Sequence, residues 1–243
     1  MNFVWRLSSY YNHNEHPVQP AILFDLDGTL VDTIQLLLES MQHAFEGRAH
    51  APTTAEWIAG IGTPLVTQFR PFAQDDADLQ QLTDRYRAYQ RLHHDRLTKA
   101  FDGTLLTVRE LHGWGYPLGI VTSKANDIAH RTLRHVGLAE YFDIVVGVES
   151  TTRHKPDPEP VRFALAHLRA PAEGAVFVGD SPHDIAAGNA AGVITVAALW
   201  GAFAPPVLRA ANPHHELDRI SGLPDLIRRR RSWIGGSHRA PAG

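Results

Sequence analysis

The chain has 243 residues, 44% of them hydrophobic, with a formal net charge of −3 and no cysteine. That length suits one large domain or two small ones, and the apolar content excludes a chain too polar to bury a core. The lack of thiols excludes disulfides and thiolate metal sites, and the weak acidity argues against a nucleic-acid-binding surface.

Residues 1–20 mix Tyr, Asn, His and Pro without a period and read as a flexible extension. His13 and His16 could share a metal there, but a solvated tail is the simpler reading. Phe3-Val4-Trp5 is interrupted at Arg6, so no signal peptide is expected, and a cytoplasmic protein is. The most apolar region, 190–203, is shorter than a membrane span and stops at Pro205-Pro206, so no membrane partner is expected.

Ala21-Ile22-Leu23-Phe24 is an apolar run typical of a buried strand, followed at once by Asp25-Leu26-Asp27-Gly28-Thr29-Leu30. Side chains two apart on extended chain point the same way, so Asp25 and Asp27 can face one site. Two acids beside an apolar run are costly unless a cation or a proton holds them. Gly28 lets the chain turn sharply away.

Ile34, Leu37, Leu38, Met41 and Phe45 then repeat at helical spacing. Thr53-Thr54-Ala55-Glu56 offers a capping box for a second helix, which Gly60-Ile61-Gly62-Thr63-Pro64 ends. Leu79, Leu82, Tyr86 and Tyr89 mark a third helix running to about residue 97. Residues 33–100 are therefore expected to form a helical block without strands.

Beyond residue 100 the pattern alternates. Helices are expected near 104–113, 126–136, 159–168 and 183–190, and strands at 117–121, 143–146, 175–178 and 193–196. Such alternation indicates an α/β fold with a doubly wound parallel sheet. A last helix begins at Pro224 and ends in the arginines of 228–231, cations that suit a helix C-terminus, and 232–243 reads as a flexible tail. The core is thus expected from 21–32 and 101–231, with 33–100 inserted as a cap.

Three further polar clusters follow apolar runs: Thr122-Ser123-Lys124, His154-Lys155-Pro156-Asp157-Pro158 and Gly179-Asp180-Ser181-Pro182-His183-Asp184. Ligands of open parallel sheets bind at the carboxyl ends of strands, where all four clusters fall. Clustered carboxylates form an all-oxygen site suited to magnesium, and a lysine beside them can offset the charge of a phosphate. Singly, Thr122 or Asp180 could only cap a helix, Lys155 could be a surface lysine, and Asp184 a plain helix-start acid.

Taken in order, these four clusters resemble the motifs of the haloacid dehalogenase superfamily, and the stretch from Val178-Gly179-Asp180-Ser181 to Ala190-Ala191-Gly192-Val193 is similar to its phosphoglycolate phosphatase-like branch. The resemblance implies a Rossmann-like core with a mobile helical cap, and a magnesium-dependent phosphatase acting through an aspartyl-phosphate. It makes Asp25 the nucleophile and Asp27 the general acid/base. Thr122 with Ser123, and Lys155, would bind the transferring phosphate. Magnesium would be held by Asp25, the backbone carbonyl of Asp27, and Asp180, with Asp184 behind them orienting ligands or metal-bound water. Gly62 would sit at the cap mouth against the substrate, or else mark a simple turn.

The implied partner is a small phosphorylated metabolite, phosphoglycolate first. A phosphomutase similar to beta-phosphoglucomutase and a pyrophosphatase remain open within the same fold. Outside it stand a signalling receiver domain, which is about half this length and lacks the helical insertion, and a non-catalytic scaffold.

Overall fold

The structure, a computed structural model, describes residues 19–235, with side chains as far as Arg229. His13 and His16, and the last eight residues, lie outside the described residues. β1 (Ile22–Phe24) leads into the acidic turn, and β2 (Val31–Asp32) follows it. Four helices come next: α1 (Ile34–Phe45), α2 (Thr54–Gly60), α3 (Leu65–Phe69) and α4 (Asp76–His93). β3 (Lys99–Ala100) returns antiparallel to β2. Then come α5 (Thr104–Gly113), β4 (Leu118–Val121), α6 (Asn126–His135), β5 (Ile144–Val146), α7 (Glu159–His167) and β6 (Val176–Gly179). α8 (Pro182–Ala191), β7 (Ile194–Ala198), α9 (Pro205–Ala210), β8 (His215–Leu217) and α10 (Leu223–Gly235) complete the described chain.

Six strands form one sheet in the order β5-β4-β1-β6-β7-β8, every neighbouring pair parallel. β1 is central because all three of its residues are apolar and its two faces meet different cores. Ile22 and Phe24 pack with Leu118, Ile120, Val176 and Val178, whereas Leu23 packs on the other face with Val161, Leu165 and Phe177. That period of two lets one short strand serve both layers, each buried large side chain contributing about 1.5–3 kcal/mol. Strand order reverses direction between β1 and β6, the switch point at which such sheets bind ligands. Phe24 pairs with Ile120 on one side and Val178 on the other, so the residues after Phe24 emerge level with the ends of both neighbours.

The helices between β2 and β3 carry an aromatic centre. Trp57 stacks on Phe69 with centroids 5.2 Å apart, and Phe69 meets Phe45 and Tyr86 edge-on at 5.5 and 5.6 Å. This cluster continues into the sheet side of the molecule through Ile185, Ala197, Phe203 and Leu208. The expected capping box is present: Thr53 Oγ1 accepts from the Glu56 N–H, and Glu56 accepts from the Thr53 N–H at 2.8 Å.

Several details differ from the sequence expectation. The 33–100 segment is not free of strand, because Asp32 pairs with Lys99 and Val31 with Ala100 at its neck. Strands of two residues are too short to show an alternating pattern, as is the half-exposed edge strand β8, and neither was foreseen. The third expected helix stops at His93, short of residue 97. α10 runs to Gly235, past the expected start of the tail at 232. Of the arginine run, Arg228 bonds Glu110 and Asp225 and lies 4.6 Å over the Trp114 ring.

Arg48 grips Asp78 through two bonds of 2.6 and 2.7 Å, tying the end of α1 to the start of α4. The Arg48 bonds, helped by the Gln74 N–H, hold the Asp78 carboxyl down at about 2. A carboxylate with a lowered folded pKa adds stability above its unfolded value near 4, and that stability is lost as pH falls toward 2. Arg48→Met should therefore melt below wild type at pH 7, and the gap should close between about pH 4 and pH 2. A gap independent of pH in thermal melts would assign the loss to packing alone.

Candidate active site

The turn after β1 places its acids by backbone bonding. The Asp25 N–H extends the ladder to Val178 O at 2.9 Å, and Leu26 O then accepts from Leu30 and Val31. Gly28 makes this possible with φ +80°, and a Cβ there would stand 2.2 Å from Asp180 Oδ2. Only glycine serves both needs. Asp180, at the end of β6, is held from two sides, by Thr29 Oγ1 at 3.2 Å and the Ala202 N–H at 2.9 Å.

Beneath this turn lies Lys155, 3% exposed, with Nζ 2.7 Å from Asp25 Oδ1 and 2.6 Å from Asp184 Oδ1. Burial alone would push its ammonium down, but Asp184 and Asp25 outweigh that and raise it. The other Asp184 oxygen accepts from Ser181 N and Oγ at 3.0 and 2.6 Å, a capping box that starts α8. Asp184 is therefore both the helix-start acid and an anchor for Lys155. Ser181 caps α8, which leaves Asp180 free of that duty.

Asp25, Asp180 and Asp184 each offer an oxygen within 4.8 Å of the others, and all three are buried. This group could hold a metal ion. Fully ionised, three carboxylates against the one ammonium of Lys155 would leave two negative charges uncompensated in a buried site. Burial first, then Asp25 and Asp184, pushes the Asp180 carboxyl well up, and burial raises Asp25 to about 7. An all-oxygen set short of two positive charges fits a hard divalent cation.

Asp27 points elsewhere. Its carboxylate takes two bonds from Lys124 Nζ, at 2.8 and 2.7 Å, and one from Thr33 Oγ1 at 2.6 Å. Asp25, Asp27, Thr122, Ser123 and Lys124 line a cavity of about 460 Å³ whose other wall comes from α2, α3, α4 and Gly62. Lys155, Asp180 and Asp184 do not reach that lining. Thr122 is nearly buried, with its N–H on Val146 O. Ser123 Oγ donates to Gly62 O at 2.5 Å, so this hydroxyl ties the core to the inserted helices. Gly62, at φ +96°, has no room for a Cβ, which would stand 2.7 Å from Ser181 Oγ.

Sequence reasoning missed Lys124 as a partner of Asp27. It stood in the Thr122-Ser123-Lys124 cluster, but nothing local ties residue 124 to residue 27. Thr33 and the Ala202 N–H were missed for the same reason. Arg70 and His94, two basic side chains that could have reached a substrate anion, instead bond Asp76 and Asp95 with Thr132, respectively, and neither lines the cavity.

Residues 22–198 match the family profile described as haloacid dehalogenase-like hydrolase. A pyrophosphatase PpaX of Halalkalibacterium halodurans is 35% identical over 85% of this chain and 96% of its own length. The pyrophosphatase PpaX of Bacillus velezensis is 37% identical over 84% of this chain and 94% of its own. Among solved structures, one from Haemophilus somnus 129PT, described as a predicted phosphoglycolate phosphatase, superimposes with a TM-score of 0.78. It is 22% identical and covers 87% of this chain and 99% of its own, a likeness of fold.

Proposed function

The chain belongs to the haloacid dehalogenase-like hydrolase family, and from that premise we propose that it is a magnesium-dependent phosphohydrolase whose first substrate is pyrophosphate. The observation that carries the reading is Asp25, lining the cavity on one side and clamped by Lys155 on the other, at the switch point of the sheet. The choice of pyrophosphate over phosphoglycolate rests on relatives of that name at 35–37% identity.

Asp25 attacks phosphorus, forming an aspartyl-phosphate as the bond to the leaving oxygen breaks. Asp27 delivers a proton to that oxygen, then takes one from the water that attacks the same phosphorus, restoring Asp25 and releasing phosphate. Thr122 holds the transferring oxygens, with Ser123 beside it, and Lys155, on the far side of Asp25, offsets their charge. Asp25, the Asp27 carbonyl and Asp180 would hold magnesium, which neutralises charge on the phosphoryl group when bound, and Asp184 keeps Lys155 and α8 in place. The helices over the cavity exclude water, with Gly62 at the mouth.

The test is phosphate release from pyrophosphate, phosphoglycolate, nucleoside monophosphates, hexose phosphates and p-nitrophenyl phosphate, with magnesium and with chelator. Magnesium-dependent turnover, fastest on pyrophosphate and silent under chelator, is the expected result. Turnover unaffected by chelator overturns the metal assignment, and a faster phosphoglycolate reaction reverses the choice of substrate. No release with isomerisation of a sugar phosphate identifies a mutase.

A further inference from the structure

We propose that Arg87 and Arg91 of α4 bind a second anionic group of the substrate in the cavity that Asp25 also lines; this rests on the phosphohydrolase reading above. Both line the cavity, and they stand four residues apart, hence on one helix face about 6 Å apart along the axis. Tyr86 and Gln90, on the adjoining stripe, line it too, and the Tyr86 hydroxyl feels the charge of Asp27. α4 therefore shares one cavity with Asp25 and Asp27.

The cavity's other cation is engaged, since Lys124 is committed to Asp27, and Lys155 below the floor is held by Asp25 and Asp184. Among the described residues, neither Arg87 nor Arg91 has a side-chain hydrogen bond or ion pair. Carboxylates stand within reach along the helix, yet they serve others: Asp84 accepts from Gln80, and Asp95 is held by His94 and Arg131. Arg48, Arg70, Arg153, Arg209 and Arg228, by contrast, each pair with an acid.

The core wall points the same way. Besides Asp25 and Asp27 it carries Asp127 and Glu149, which accept from the Ile128 and Asn126 N–H groups, so the cavity's unpaired positive charge lies on α4. Two guanidinium groups suit a planar or tetrahedral oxyanion: the distal phosphoryl of pyrophosphate or the carboxylate of phosphoglycolate.

The test is steady-state kinetics of Arg87→Gln, Arg91→Gln and the double variant, with magnesium, on pyrophosphate, phosphoglycolate and p-nitrophenyl phosphate, which has no second anion. The ratio of kcat/KM for the doubly anionic substrate to that for p-nitrophenyl phosphate should fall about 10- to 100-fold for each arginine lost, mainly through KM. Arg87→Lys and Arg91→Lys should recover part of it. A fall confined to pyrophosphate assigns the distal phosphoryl, and one confined to phosphoglycolate assigns the carboxylate. An unchanged ratio in an active double variant overturns the inference and leaves the phosphohydrolase reading standing. A wild-type protein that releases phosphate from none of the three overturns both.

Discussion

Asp25→Asn should lower kcat by about 10³- to 10⁶-fold on every phosphoryl substrate, the range seen when a covalent nucleophile is removed. The substitution is nearly isosteric, and the asparagine carbonyl can still accept from Lys155 Nζ, which sits 2.7 Å from Asp25 Oδ1. It also removes a carboxyl that burial already raises to about 7, so the fold loses no favourable charge and the melting temperature should not fall. Wild type mixed with phosphorus-labelled pyrophosphate and quenched in acid should carry label released by hydroxylamine, the mark of an acyl phosphate. The variant should carry none. Activity within tenfold of wild type would place the nucleophile elsewhere, whatever the label shows.

The gathering of these polar groups at one edge was within reach of the sequence because they sit at the ends of apolar runs. Phe24, Val121 and Val178 each end or nearly end such a run, and each is followed within two residues by a polar site group. Parallel strands in register bring these ends to one edge, so local pattern was enough to gather Asp25, Thr122 and Asp180. Strand limits slipped by one or two residues, as at β7, where Ala197 and Ala198 extend the strand beyond 196. Alanine carries no β signal of its own, and only pairing with Gly179 and Leu217 decides its place.

Pairings between distant residues were not legible. Asp27 and Asp25 look alike in sequence, but one faces Lys124 and Thr33 while the other faces Lys155. Which lysine serves which acid depends on how β1 and β4 sit side by side and where the helical insertion returns. Asp184 carried a partial signal, because Ser181-Pro182-His183-Asp184 has the spacing of a capping box. The spacing accounts for one of its oxygens and says nothing of the other, which reaches Lys155. Arg87 and Arg91 lay on an exposed stripe of α4 with no motif around them. Their standing comes only from what the helix covers.

Lys155→Met should cost stability as well as activity. The ammonium is buried between Asp25 and Asp184, with Val121 O at 3.3 Å and the Phe177 ring 6.0 Å away. Methionine fills much of the same space, so little cavity is left, but both carboxylates lose their counter-charge in a buried site. Breaking a buried pair from one side costs about 3–5 kcal/mol, which for a chain of this size lowers Tm by about 6–20 °C. Melts in chelator at pH 7 measure this without metal. Adding Asp184→Asn to Lys155→Met should raise Tm above that of Lys155→Met alone, because one stranded charge is removed with its partner. Wild-type melting of Lys155→Met would mean that these acids do not depend on the lysine. A double variant no more stable than Lys155→Met would instead locate the loss in packing against Phe177. Catalysis should not return with stability in the double variant, since the ammonium proposed above to offset the charge of the phosphate is still missing.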